Sequence, residues 1–88
     1  DANWMGHSVD VKVNRNKNNP LMVPEYANTD CKIFALFTVN YPKYTFEGFT
    51  LNSIIFQKKN LKKTRVMSYV LEKNQLLDLK ELIFLLEL

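Results

Sequence analysis

The sequence is short of the residues that most often build ready-made sites. It has one cysteine, Cys31, one histidine, His7, and one tryptophan, Trp4. A lone cysteine excludes a disulfide framework within the chain and an all-cysteine zinc site. Cys31 adjoins an apolar run and reads as a buried, inert thiol. A single histidine excludes His-rich metal spacing, and there is no Ser-His-Asp arrangement. Gly6 and Gly48 are the only glycines, so there is no glycine-rich phosphate loop. No apolar run reaches transmembrane length and no signal peptide is evident. The leucine-rich end, Leu76 to Leu88, is too short and carries Asp78, Lys80, Glu81 and Glu87. The expectation is a reducing, intracellular (cytoplasmic) setting with no membrane partner. Internal repeats and low-complexity tracts are also lacking, although residues 14 to 19 are rich in Asn and Lys.

What the chain does have is apolar mass. Hydrophobic residues make up 47% of its 88 positions, too many for a disordered tail and enough for one domain with a modest core. Twelve Lys and Arg against nine Asp and Glu give a net charge of +3, compatible with a polyanionic partner without establishing one. The chain lacks an initiator Met and its strand signal begins almost at once, so residues 1 to 88 read as a single domain and as a fragment or processed product.

One stretch organises the reading: Ser8-Val9-Asp10-Val11-Lys12-Val13. Val9, Val11 and Val13 alternate with polar residues, which predicts a strand with the valines on one face and Asp10 and Lys12 on the other. A surface ion pair is the plain account of such a pair. The sharper one is a metal-binding carboxylate beside a lysine that positions or polarises a nucleophilic water. Asp1 to Trp4 reads as the end of an earlier strand, and Met5-Gly6-His7 as a tight turn. That hairpin brings Asp1 near the end of the second strand that holds Asp10 and Lys12.

Residues 14 to 20 read as a polar, basic loop closed by Pro20. If the Asp10/Lys12 pair faces a phosphodiester, Arg15 and Lys17 are placed to touch flanking phosphates. Leu21-Met22-Val23 reads as an apolar patch and 25 to 30 as a loop or helical turn. Cys31 to Val39 is the strongest strand signal. Ile33, Ala35, Phe37 and Val39 share one face and Phe34 and Leu36 the other, which predicts a central strand. After a turn at 40 to 43, residues 44 to 50 read as a strand. Tyr44, Phe46 and Gly48 fall on one side and Thr45, Glu47 and Phe49 on the other, with Gly48 marking a bulge or a close backbone approach. Thr50 is the expected cap of a short helix, Leu51 to Gln57. Val66 to Leu71 reads as extended. Asn74 or Asp78 starts a last helix with Leu79, Leu82, Ile83 and Leu86 as its core stripe. Phe84 and Leu88 are surplus to that face and suit a partner subunit or a missing segment.

On Asp1, the Gly6 turn, Val9 to Val13, the polar loop, Leu21 to Pro24, the strand Ile33 to Val39 and Phe46-Glu47-Gly48-Phe49, the chain resembles the PD-(D/E)XK nuclease superfamily, in particular its small phage, viral and archaeal members. The order and apolar character cover most of residues 1 to 71; three residues match the motif itself. The resemblance implies an α+β fold of α/β/α-like type. In it a mixed sheet of about four to five strands, starting with a hairpin, is flanked by helices, and the first helix of the restriction-endonuclease-like core is missing. It implies Mg²⁺-dependent hydrolysis of a DNA phosphodiester, with Mn²⁺ as a substitute. Asp1 and Asp10 would ligate the metal with the Val11 backbone carbonyl, and Lys12 would orient the attacking water. The sequence departs from the family in carrying Asp10 where Glu is commoner, and in having Asp1 as its first residue. Asp30, Glu47 or an upstream acid stay open as the partner carboxylate. Many nucleases of this fold cut as homodimers.

The rival expectation is a non-catalytic module that binds nucleic acid or a protein. It would use Lys58, Lys59, Lys62, Lys63 and Arg65, the densest basic cluster, with Tyr41, Tyr44 and Tyr69 as stacking aromatics.

Overall fold

The computed structural model describes residues 2–4, 6–16, 18–27 and 30–87. Its strands are β1 (Ala2–Trp4), β2 (His7–Asn14), β3 (Leu21–Pro24), β4 (Ile33–Asn40), β5 (Lys43–Leu51), β6 (Leu61–Lys63) and β7 (Met67–Leu71). Its α-helices are α1 (Asn52–Ile55) and α2 (Leu79–Leu86), and single 3₁₀ turns occupy Lys58–Asn60 and Lys73–Gln75.

The architecture is α+β with two sheets. One has the order β1-β2-β4-β5, and its β2–β4 pairing is parallel while the others are antiparallel. The other is antiparallel with the order β3-β7-β6. β4 lies between β2 and β5, and Ile33, Phe34, Ala35 and Leu36 are all buried, as its two-sided apolar sequence requires. On one face of the sheet Val9, Ile33, Ala35 and Leu51 pack with Leu82 of α2, flanked by Leu77, Leu85 and Leu86. On the other face Phe34 and Leu36 pack with Leu21, Val23, Leu71 and Ile55. Each fully buried Leu, Ile or Phe contributes roughly 1.5–3 kcal/mol of transfer free energy to holding the layers together.

The second face is therefore covered by a sheet and by α1, where the sequence led us to expect helices. The apolar patch at 21–23 is strand β3, paired with β7 from Leu21↔Leu71 to Pro24↔Ser68. Cys31, half-buried, packs against the Phe34 cluster as an ordinary core thiol. Trp4 stacks on Phe49 of β5 with ring centroids 6.4 Å apart, so it packs across the sheet against the Val9 and Leu82 cluster.

Three local expectations are corrected. Thr50 does not cap a helix: β5 runs through Leu51, Thr50 is fully buried, and α1 is one turn with no side-chain N-cap. That turn is held at its other end, where Asn60 Nδ2 donates to the carbonyls of Ile54 (2.9 Å) and Ile55 (3.2 Å). At the last helix Asp78 is the cap: its carboxylate accepts from Glu81 N (2.8 Å), and Asp78 N donates to Glu81 Oε1 (3.1 Å). Leu79, in the first turn, is 51% exposed and outside the core stripe, which Leu82 anchors.

The third correction concerns β5. Leu36 pairs with Gly48 but Phe37 with Phe46, so Glu47 is an extra residue in a β-bulge. The bulge resets the alternation. Phe46 and Phe49 share a face, with centroids 4.6 Å apart, and Glu47 parts company with Phe49. Gly48 sits at φ +148, where an added Cβ would lie 2.6 Å from Leu76 Cβ. Both roles foreseen for this glycine, bulge and close approach, are filled at once.

Candidate functional site

Asp10 and Lys12 project from the same face of β2, as period two demands, and Lys12 Nζ lies 3.0 Å from Asp10 Oδ2. In register they neighbour Phe34 and Leu36, the residues that carry the core between the sheets. The pair thus borders an apolar layer while staying partly open to solvent, with side-chain exposures of 34% for Lys12 and 23% for Asp10. A partly desolvated carboxylate and ammonium interact more strongly than a fully solvated pair would.

The rest of β2 shapes the approach to this pair. The last described rung with β1 is Ala2↔Val9. From Asp10 onward, β2 has β4 as its one strand neighbour among the described residues, so alternate backbone groups of this stretch face an open edge. The Val11 side chain belongs to the opposite face and is exposed. Asn14, on the Asp10 face, donates through Nδ2 to the carbonyls of Pro20 (3.1 Å) and Asn19 (3.4 Å). Those bonds fold the polar loop back on the strand and set the start of β3. Arg15 is exposed in the bend between them.

The other sequence candidates are distributed as follows. Asp1 and Lys17 lie outside the described residues. Ser8 Oγ donates to the Asp30 carbonyl (3.4 Å) and accepts from Lys32 N (3.2 Å), which ties the loop before β4 to the start of β2. Glu47 is engaged elsewhere. Its Oε2 accepts from Thr38 Oγ1 at 2.5 Å and from Lys73 Nζ at 3.1 Å. The Thr38 hydroxyl first, and the Lys73 ammonium second, hold the Glu47 carboxyl below its ordinary value of 4.5. Glu47 stands on β5, two strands from β2, roughly 10 Å across the sheet. Among the described residues no three His, Cys, Asp or Glu side chains form a metal-holding group.

Lys58 and Lys59 are exposed on the 3₁₀ turn, and Lys62 and Lys63 on β6. β6 is an edge of the second sheet, so Lys62 and Lys63 stand on a different sheet from the Asp10/Lys12 strand. Tyr69 is committed to packing, edge-on to Phe56 at 5.1 Å. Sequence reasoning missed the Thr38–Glu47–Lys73 network, in which Lys73 is far from Glu47 in the chain. Its one advance signal was Gly48, next to the bulged glutamate.

Comparison of the chain with protein-family models, curated proteins and solved structures gave no match. Among the described residues no helix is long and apolar enough to cross a membrane.

Proposed function

We propose that the chain is a metal-dependent DNA endonuclease of the PD-(D/E)XK type, working inside the cell. In this reading the four-stranded sheet is the restriction-endonuclease-like core without its first helix. The observation that carries the reading is the Asp10–Lys12 pair: one face, 3.0 Å apart, half-buried, on a strand whose edge, among the described residues, is open from Asp10 onward. Asp10 offers the hard oxygen donor that Mg²⁺ prefers, and Mg²⁺ needs only one or two carboxylates besides water and substrate phosphate. Among the described residues Asp10 is the one carboxylate on that face of β2; Asp1 is our candidate for the second, because the described β1–β2 ladder stops one rung short of Asp10. The bound ion would supply charge neutralisation at the phosphate and an acidified water. Lys12 would hold that water or the non-bridging phosphate oxygen, and Arg15 and Lys17 would grip neighbouring phosphates. Cutting both strands of a duplex in one encounter calls for two active sites, so a homodimer belongs to the same proposal.

The test is cleavage of plasmid and oligonucleotide DNA in Mg²⁺ or Mn²⁺. Asp10→Ala and Lys12→Ala should each lower the rate by at least about 10²-fold, and Asp1→Ala likewise. Metal-independent cutting, or cutting indifferent to Asp10→Ala, refutes the proposal. The rival module is favoured by a different outcome: no cutting, and DNA binding in chelator that is lost when Lys58, Lys59, Lys62 and Lys63 are neutralised.

A further inference from the structure

At the far end of the four-stranded sheet two open clefts adjoin, of about 440 and 520 Å³. Both are lined by Arg15 and Asn40. The first adds Asn16, Asn18 and Thr38; the second adds Val39, Tyr41 and Tyr44. We propose that Arg15, Asn40, Tyr41 and Tyr44 form a platform for one unpaired nucleobase of the DNA substrate, an inference that takes the identity of the polymer from the nuclease reading above.

Four observations carry it. Tyr41 is 86% and Tyr44 62% exposed, and neither makes a ring contact among the described residues, whereas Tyr69 and all but one of the phenylalanines are packed on other rings. Two bare phenol rings three residues apart on the β4–β5 hairpin offer flat faces on which any base can stack. The Asn40 side chain is exposed and without a hydrogen bond among the described residues, so its amide donor and acceptor are both available to a base edge. Arg15 and the neighbouring Lys43 are exposed cations, and no lining residue is acidic among the described residues, which suits a phosphate-linked ligand.

The placement gives the ligand a direction. β2 and β4 run parallel and both end here, their last rung being Asn14↔Thr38. The row continues on β5 as Val39↔Tyr44 and Asn40↔Lys43. Arg15 lies three residues past Lys12, roughly 10 Å along the strand. At ~3.4 Å per stacked nucleotide that is about three steps from the carboxylate–lysine pair. Thr38 and Asn40 share the face of Asp10 and Lys12, whereas Tyr44, opposite Val39, stands on the other face, so a strand crossing the Asp10/Lys12 pair reaches the tyrosines by turning over this end of the sheet a few nucleotides away. Paired bases are stacked on one another and cannot present a face there, so the platform selects an unpaired end, flap or gap over a continuous duplex.

Fluorescence anisotropy in EDTA tests this, with a labelled oligo-dT strand, a blunt duplex, and the duplex carrying a single-stranded overhang. The strand and the overhang should bind more tightly than the blunt duplex. Tyr41→Ala and Tyr44→Ala should each weaken strand binding by about tenfold, while Tyr44→Phe stays within about twofold, because stacking needs the ring and not the hydroxyl. Moving one abasic residue along the overhang should cost affinity at a single position. Both tyrosines are exposed, so circular dichroism should show the variants folded. Equal binding by the Ala variants and the parent, or equal binding of blunt duplex and overhang, overturns the platform. Because the assay is done without metal, the two proposals fail separately. Cutting that depends on Asp10 alongside binding indifferent to both tyrosines removes the platform alone. Tyrosine-dependent binding by a protein that never cuts removes the nuclease alone.

Discussion

Replacing Gly48 by alanine tests the most constrained point of the fold. At φ +148 an L-residue is strained, at a cost of about 1–3 kcal/mol. The new methyl would also stand 2.6 Å from Leu76 Cβ and 3.2 Å from the Leu77 carbonyl oxygen. Neither neighbour is a flexible side-chain end. Leu77 is pinned to Phe49 by two backbone hydrogen bonds of 2.9 and 2.7 Å, so the segment cannot retreat without breaking them. Overpacking of this kind costs about 1–3 kcal/mol. The total, about 2–6 kcal/mol, is a large share of the roughly 4–13 kcal/mol available to an 88-residue domain. Gly6→Ala is the matched control: φ is +81 there and nothing lies within 4 Å, so only the backbone cost of about 1–2 kcal/mol applies. Both variants reduce unfolded-state entropy alike, so that contribution cancels between them. Urea unfolding followed by circular dichroism gives the two losses. A Gly48→Ala loss within about 0.5 kcal/mol of the Gly6→Ala loss would refute the claimed close approach.

Further predictions concern polar contacts. Because the folded state holds the Glu47 carboxyl below 4.5, the contribution of Glu47 to stability is fully present above that pH and drains away as pH falls through the folded value. Glu47→Gln should remove this part of the acid dependence, measured as unfolding midpoints from neutral to acid pH; an unchanged profile would mean the Thr38 and Lys73 contacts do not form. Asp78→Ala should cost about 0.5–2 kcal/mol by removing the cap of α2, and Asp78→Asn should restore most of it in the same urea assay. Asn60→Ala should cost about 1–3 kcal/mol, since it strips the Ile54 and Ile55 carbonyls of their side-chain donor at a buried site. A neutral result there would place the stability of α1 elsewhere.

Legibility in the sequence followed local pattern. The alternation of Val9, Val11 and Val13 foretold the shared face of Asp10 and Lys12, and the double-sided apolar run foretold the central place of β4. Asp78 was one of two expected starts of the last helix, with Asn74, and its capping box with Glu81 is what distinguishes it. What escaped depends on partners distant in the chain. Leu21 to Pro24 and Leu61 to Lys63 are too short to show a period, and only pairing with β7 makes them strands. The facing of Glu47 was missed because a bulge is invisible to a strict period of two, although Gly48 hinted at it. Thr50 looked like a cap because hydroxyl residues favour that position, but burial in β5 outweighed local preference. Asp10 and Lys12 were legible as a pair; the acid that would complete a metal site was not, since carboxylates meet through topology and not through spacing.

The bridge between Phe49 and Leu77 does more than seat α2. It stoppers the outer margin of β5 at Phe49, so a foreign strand cannot pair through that position. A chain cut short after Leu71 would lose that stopper and would bare the Val9, Ile33 and Ala35 surface in the same stroke. Such a product would be sticky before it was unfolded, so the C-terminal segment guards the molecule against self-association as much as it fills the core.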